Sequence, residues 1–166
     1  MHKQFITTIY LDMDGVIADF EKRYKELYGD ISDRDRRSTF RPNFADFIAT
    51  NQFAALEPMP DFYTLKNYLD SVDIPKQILS STAYEETFET ISRQKKEWLH
   101  VHNVTWPDPI FVPGKRHKYK FAQPDTIIID DTLSVIEDWR KAGGVAIWHL
   151  DAMNTINQLR QYVRIA

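Results

Sequence analysis

The sequence contains no cysteine. Disulfides, zinc–thiolate centres and cysteine nucleophiles are thereby excluded. No stretch reaches the roughly 18 consecutive apolar residues of a membrane-spanning helix. The opening Met1–Phe5 also lacks the apolar run of a secretory signal. A soluble, cytoplasmic protein without a membrane partner is the expectation. Strong positive charge is missing too: the formal net charge is −3. Attachment to nucleic acid by bulk charge, or a stable nucleic-acid partner, is therefore not expected. No internal repeat or low-complexity segment is apparent.

What remains is the composition of an ordinary globular domain. Of 166 residues, 43% are hydrophobic and 27% charged. That length suits one domain with a real core and needs no covalent staples. Aromatic residues reach 13%, a high share that asks for a role.

Five short apolar runs read as buried strands: Phe5–Leu11, Lys76–Leu79, Ile110–Val112, Thr126–Ile129 and Val145–Trp148. Helical spacing separates them. Ile17, Phe20, Tyr24 and Leu27 share a face, as do Phe62, Leu65, Leu69 and Val72. So do Phe88, Ile91, Trp98 and Leu99, then Ile136 with Trp139, then Met153, Ile156 and Val163. Thr82 and Glu85 have capping-box spacing, Gly143-Gly144 reads as a helix stop, and Asp151 as an N-cap. Alternating strands and helices imply an α/β fold, with a mostly parallel sheet covered on both faces. Residues 30–60 break the alternation. They open on the polar Asp33–Arg37 and continue with Phe40, Phe44, Phe47 and Phe53. The expected organisation is a single domain, with a core of about 1–29 and 61–166 and an insert of about 30–60.

Ligands of parallel sheets gather at the carboxyl ends of the strands. The first strand runs into Asp12-Met13-Asp14-Gly15, where a tight turn at the glycine lets two carboxylates converge. The second ends in Ser80-Ser81-Thr82, suited to an anion, with Ser80 the leading candidate. The fourth ends in Asp130-Asp131. Two acidic pairs in one cleft repel unless a cation lies between them, and oxygen-only donors argue for magnesium. A basic run, Gly114–Lys120, offers Lys118 and Lys120 as a balancing ammonium. Lys118 is preferred, because Phe121 and Ala122 at i+3 and i+4 would pack its segment. The five histidines show no metal spacing and read as structural. The four tryptophans read as core or interface residues.

The ordered set Asp-x-Asp-Gly, Ser, Lys and Asp-Asp resembles the haloacid dehalogenase superfamily, over nearly the whole chain. Asp12–Phe20, Asn51–Pro60 and Ile127–Asp131 narrow the resemblance to the 5′(3′)-deoxyribonucleotidase family. That resemblance implies a Rossmann-like core of about five strands, with a small helical cap inserted after the first helix. It implies magnesium-dependent hydrolysis of nucleoside 5′- or 3′-monophosphates through an aspartyl-phosphate. Asp12 would be the nucleophile and Asp14 the general acid/base. Asp12, Asp14 (through its backbone carbonyl) and Asp130 would hold magnesium, with Asp131 behind them. Ser80, Ser81 and Lys118 or Lys120 would bind phosphate. Phe20, Phe40 and Phe47 would meet the base, while Phe44 and Phe53 would build the cap core. The expected partner is a small nucleotide, and a homodimer is left open. Competing readings are a superfamily phosphatase for another ester or a nucleic-acid 3′-phosphate, a phosphate-accepting signalling domain, and a nucleotide-binding module without turnover.

Overall fold

The computed structural model describes residues 5–29 and 37–163; His2 and the polar run Asp33–Arg36 lie outside them. Strands Thr8–Leu11 (β1), Lys76–Ser81 (β2), Ile110–Val112 (β3), Thr126–Asp130 (β4) and Val145–Trp148 (β5) form one parallel sheet in the order β3-β2-β1-β4-β5. The strands are short; β4, at the centre with β1, is buried throughout and carries three isoleucines, as a strand covered on both faces does. Between them lie helices Phe20–Tyr28 (α1), Arg37–Ala49 (α2), Phe62–Ser71 (α3), Phe88–Val101 (α4), Leu133–Lys141 (α5) and Ala152–Leu159 (α6). Two 3₁₀ helices, Gln52–Ala55 and Lys115–Phe121, complete the set among the described residues.

Strand alternation divides the interior into two layers. Ile9, Leu11, Ile127, Ile129 and Ile147 point into a large core shared with Phe62, Leu65, Trp98 and Leu159. Ile128 and Ala146 point the other way, against Val135, Ile136 and Trp139 of α5, with Tyr10 beside them. Each buried Ile or Leu stabilises the fold by about 1.5–3 kcal/mol. The chain leaves β1 for β2 and β3 on one side and returns to β4 and β5 on the other. The switch in strand order therefore falls at β1, where a ligand crevice forms outside the strand ends.

Several local expectations are corrected. Leu27, Phe88 and Met153 face outward, leaving Phe20 and Tyr24, Ile91 and Trp98, and Ile156 and Leu159 to anchor their helices. Thr82 does not open α4. Its hydroxyl donates to the Val112 carbonyl (3.2 Å), and Thr87 stands at the N-cap. Trp148 is exposed at the end of β5, where its indole N–H donates to the Asp131 carbonyl (3.0 Å). Asp151 caps α6 by accepting from the Asn154 N–H at 2.8 Å. Among the described residues no helix is long and apolar enough to cross a membrane.

Candidate active site

Register builds the centre of the site. Leu11 pairs with Ile129 across β1 and β4, so the next residues, Asp12 and Asp130, emerge side by side. The Asp12 N–H completes the ladder by donating to the Ile129 carbonyl at 3.0 Å. Two buried carboxylates in contact require a cation, and Lys118 is there. Its Nζ lies 2.9 Å from Asp12 Oδ1 and 2.7 Å from Asp130 Oδ2, with the side chain almost fully enclosed. Lys118 is carried inward by the 3₁₀ helix Lys115–Phe121. Lys120, on the same helix, stays exposed, its Nζ 3.0 Å from His117 Nδ1. The structure thus brings Lys118 to the carboxylates and leaves Lys120 outside.

After Asp12 the chain folds into a tight turn. The Met13 carbonyl accepts from the N–H groups of Val16, Ile17 and Ala18 at 2.9–3.1 Å. Gly15 has φ +80°, and a Cβ there would lie 2.0 Å from Asp131 Oδ2. Only glycine lets this turn press against Asp131. Asp12, Asp130 and Asp131 each contribute an oxygen to a group lying within 4.8 Å. Asp131, expected behind the cluster, is part of it. The Asp14 carboxylate turns away, toward Lys95.

Electrostatics follow the crowding. Burial alone would raise Asp12, but the Lys118 and Lys95 ammoniums outweigh it and hold the carboxyl below its usual range. Burial and the charge of Asp12 push Asp130 up, against the pull of Lys118. Asp131 is pushed up to about 8, first by desolvation and then by the charges of Asp12 and Asp130. Three carboxylates facing one buried ammonium form an oxygen-only, charge-deficient donor set, which fits magnesium.

Sequence reasoning missed Lys95. It sits on α4, almost fully enclosed. Its Nζ donates to Asp14 Oδ2 (3.0 Å), Ser80 Oγ (2.7 Å) and the Ser81 carbonyl (2.8 Å). A signal was available, since Ile91, Lys95 and Trp98 follow i, i+4, i+7, placing a lysine inside the apolar stripe. The preceding Gln94 is buried too. It accepts from the Phe53 N–H (3.1 Å) and donates to the Ile48 carbonyl (2.8 Å), tying the 37–55 stretch to α4.

A cleft of about 610 Å³ opens over these groups. Asp12, Asp14, Ser81 and Asp131 reach its wall, and so do Phe20, Phe40, Phe44 and Phe53. Ser80, Asp130 and Lys118 lie fully buried beneath. Phe47 departs from expectation. It is fully buried, packed edge-on against Phe20 and Phe53 with centroids 5.0 Å away, and does not reach the cleft. Phe44 and Phe53 are buried in the core, as expected, and also reach the cleft wall. The cause is the shared face of Phe40, Phe44 and Phe47 on α2, whose lower end faces the core.

This is the fold of haloacid dehalogenase-type hydrolases. The chain aligns with D,D-heptose 1,7-bisphosphate phosphatase from Burkholderia thailandensis at a TM-score of 0.56 and 10% identity, covering 93% of this chain and 98% of that one. It aligns with L-2-haloacid dehalogenase from Xanthobacter autotrophicus at 0.54 and 14% identity, covering 98% and 85%. A third neighbour is a Bacillus subtilis protein described as a HAD-hydrolase and bound to magnesium, at 0.52 and 14% identity, covering 87% and 86%. At these identities the likeness is one of fold. No protein-family model matches the sequence, and no curated protein matches it.

Proposed function

We propose that the protein is a magnesium-dependent phosphatase that hydrolyses nucleoside monophosphates, with deoxyribonucleosides the expected class, at the 5′ or 3′ position. One observation carries this reading: a single cleft joins a carboxylate cluster to a wall of four phenylalanine rings. Its volume suits a mononucleotide, and aromatic faces hold bases by stacking. In this reading residues 30–60 act as the cap, and about 1–29 with 61–166 as the core.

Asp12, kept ionised by its ammonium neighbours, attacks phosphorus and forms an aspartyl-phosphate. The P–O bond to the nucleoside breaks, and its electron pair goes to the leaving oxygen. Asp14 gives that oxygen a proton, then takes one from the water that cleaves the intermediate. The carboxylates of Asp12, Asp130 and Asp131, with the Asp14 carbonyl, would hold magnesium, which when bound screens carboxylate from phosphate. Lys118 balances the buried charge, and the Ser80-Ser81 end of β2 flanks the phosphoryl group. Fixed charges of this kind carry most of phosphoryl-transfer catalysis.

The test is phosphate release from ribo- and deoxyribonucleoside 5′- and 3′-monophosphates, set against sugar phosphates of equal charge. The reading expects nucleotides to be preferred by kcat/KM. Equal or better turnover of sugar phosphates would favour another ester as substrate.

A further inference from the structure

We propose that Lys115 is the residue that grips the substrate phosphoryl group from the open side of the cleft, the part for which the sequence offered Lys118 and Lys120. The inference rests on the phosphatase reading above and deepens it.

The charges on the cleft wall are lopsided. Asp12, Asp14, Glu21 and Asp131 line it, and Lys115 is the one cation among the described residues that do. A phosphate monoester is close to doubly charged at neutral pH and is held best by charged donors. The other lysines nearby are committed elsewhere. An ammonium has three donors, and those of Lys95 meet Asp14 Oδ2, Ser80 Oγ and the Ser81 carbonyl. Lys118 is enclosed beneath the carboxylates, donating to Asp12 and Asp130. Lys120 is exposed but faces a separate pocket with Arg116 and Lys141. Lys115 is both exposed and on the cleft wall.

Helix geometry places it there. Residues three apart eclipse one another in a 3₁₀ helix. Lys115 and Lys118 therefore share a face of Lys115–Phe121, about 6 Å apart along its axis at about 2 Å per residue. Lys118 enters beneath the carboxylates, and Lys115 stands one turn earlier at the wall. Arg116 and Lys120 fall off this face, which is why they line the other pocket.

The Lys115 ammonium is also held in place. Its Nζ donates to Thr132 Oγ1 at 3.1 Å. Thr132 stands at the N-cap of α5, yet its side chain makes no capping bond there, and its N–H donates to Asp130 Oδ1 at 2.9 Å. Lys115 is thus fastened to the residue that follows the carboxylate pair. One of its three donors is spent on this bond, and the other two have no acceptor among the described residues.

The experiment compares wild type with Lys115→Met, which keeps the stem and removes the charge, and with Lys115→Arg. The readouts are steady-state kinetics on p-nitrophenyl phosphate and the affinity for inorganic phosphate by calorimetry, both with magnesium. Loss of a charge-assisted hydrogen bond predicts that in Lys115→Met the KM and the phosphate dissociation constant each rise roughly 10- to 100-fold. The kcat should stay within about 3-fold, because the bond is made in ground state and transition state alike. Lys115→Arg, which keeps the charge and the donors, should recover most of the loss. Unchanged phosphate affinity and KM in Lys115→Met, or a fall in kcat alone, overturns the proposal. So does a loss that Lys115→Arg does not recover, which would make Lys115 a structural part of the wall. Thermal unfolding certifies the fold, and if Lys115→Met does not fold, Lys115→Gln is read in the same way. Neither probe is a nucleotide, so a wrong nucleoside assignment leaves the outcome readable. A wild type that neither hydrolyses the ester nor binds phosphate overturns the phosphatase reading and this proposal with it.

Discussion

The Nζ of Lys118 stands 2.7 Å from Asp130 Oδ2 in the buried floor of the cleft. Both groups are enclosed, so neither charge is tolerable without the other. The same ammonium reaches Asp12 at 2.9 Å and holds it ionised. Through Lys118 the charge balance of the fold and the ionisation of Asp12, the proposed nucleophile, become one property.

Lys118→Ala should therefore cost about 100-fold or more in kcat, the scale of losing a single preorganised donor. Lys120→Ala, on an exposed side chain, should stay within about 2-fold of wild type. Steady-state kinetics of both variants check this, and comparable losses would show that the 3₁₀ helix presents Lys120 during turnover.

The aromatic wall separates binding from stability. Phe44→Ala removes a ring that lines the cleft, and stacking is worth about 1–3 kcal/mol per base. A nucleotide should lose roughly 5- to 150-fold in kcat/KM, while p-nitrophenyl phosphate changes far less. Phe47→Ala instead opens a hole in the core and should destabilise the fold by about 3–5 kcal/mol. Denaturant unfolding checks the second variant, and the substrate comparison checks the first.

Carboxylate crowding gives the stability a pH dependence. The Asp131 carboxyl is pushed up to about 8 in the fold, whereas in an unfolded chain it ionises near 3.9. Between those values the folded state binds a proton that the unfolded state does not, so stability falls as pH rises through that window. Burial is the larger cause and the charges of Asp12 and Asp130 the next; a cation among the carboxylates offsets both by favouring the ionised form. Thermal unfolding without divalent metal should show Tm falling from pH 5 to pH 8, and saturating magnesium should flatten the slope. Asp131→Asn should flatten it without metal.

The meeting of the acidic strand ends was largely legible in the sequence, because parallel strands bring their carboxyl ends to one edge. Acidic residues at the ends of two strands, Asp12 and the pair Asp130-Asp131, then meet, while Asp14 of the same turn pairs with Lys95 instead. Lys118 was legible through the apolar residues three and four places on. Lys95 was not read, although it interrupts the stripe of Ile91 and Trp98, since its partners lie in the turn after β1 and at the end of β2. The phenylalanine rings of α2 defeated the reading for a different reason. Phe40, Phe44 and Phe47 occupy one helix face, and periodicity tells which side is apolar but not which end meets the cleft. Thr82 shows a third kind of failure: capping-box spacing was present, but the Val112 carbonyl from the neighbouring strand claimed the hydroxyl.

The central claim is that Asp12 performs magnesium-dependent phosphoryl transfer from a nucleotide. The most direct measurement is phosphate release from deoxyribonucleoside 5′- and 3′-monophosphates by wild type and Asp12→Asn, each with magnesium and with a chelator. The account predicts turnover by wild type with magnesium alone, and loss of essentially all activity in a folded Asp12→Asn protein. Turnover that survives the substitution, or that proceeds unchanged in chelator, would contradict it.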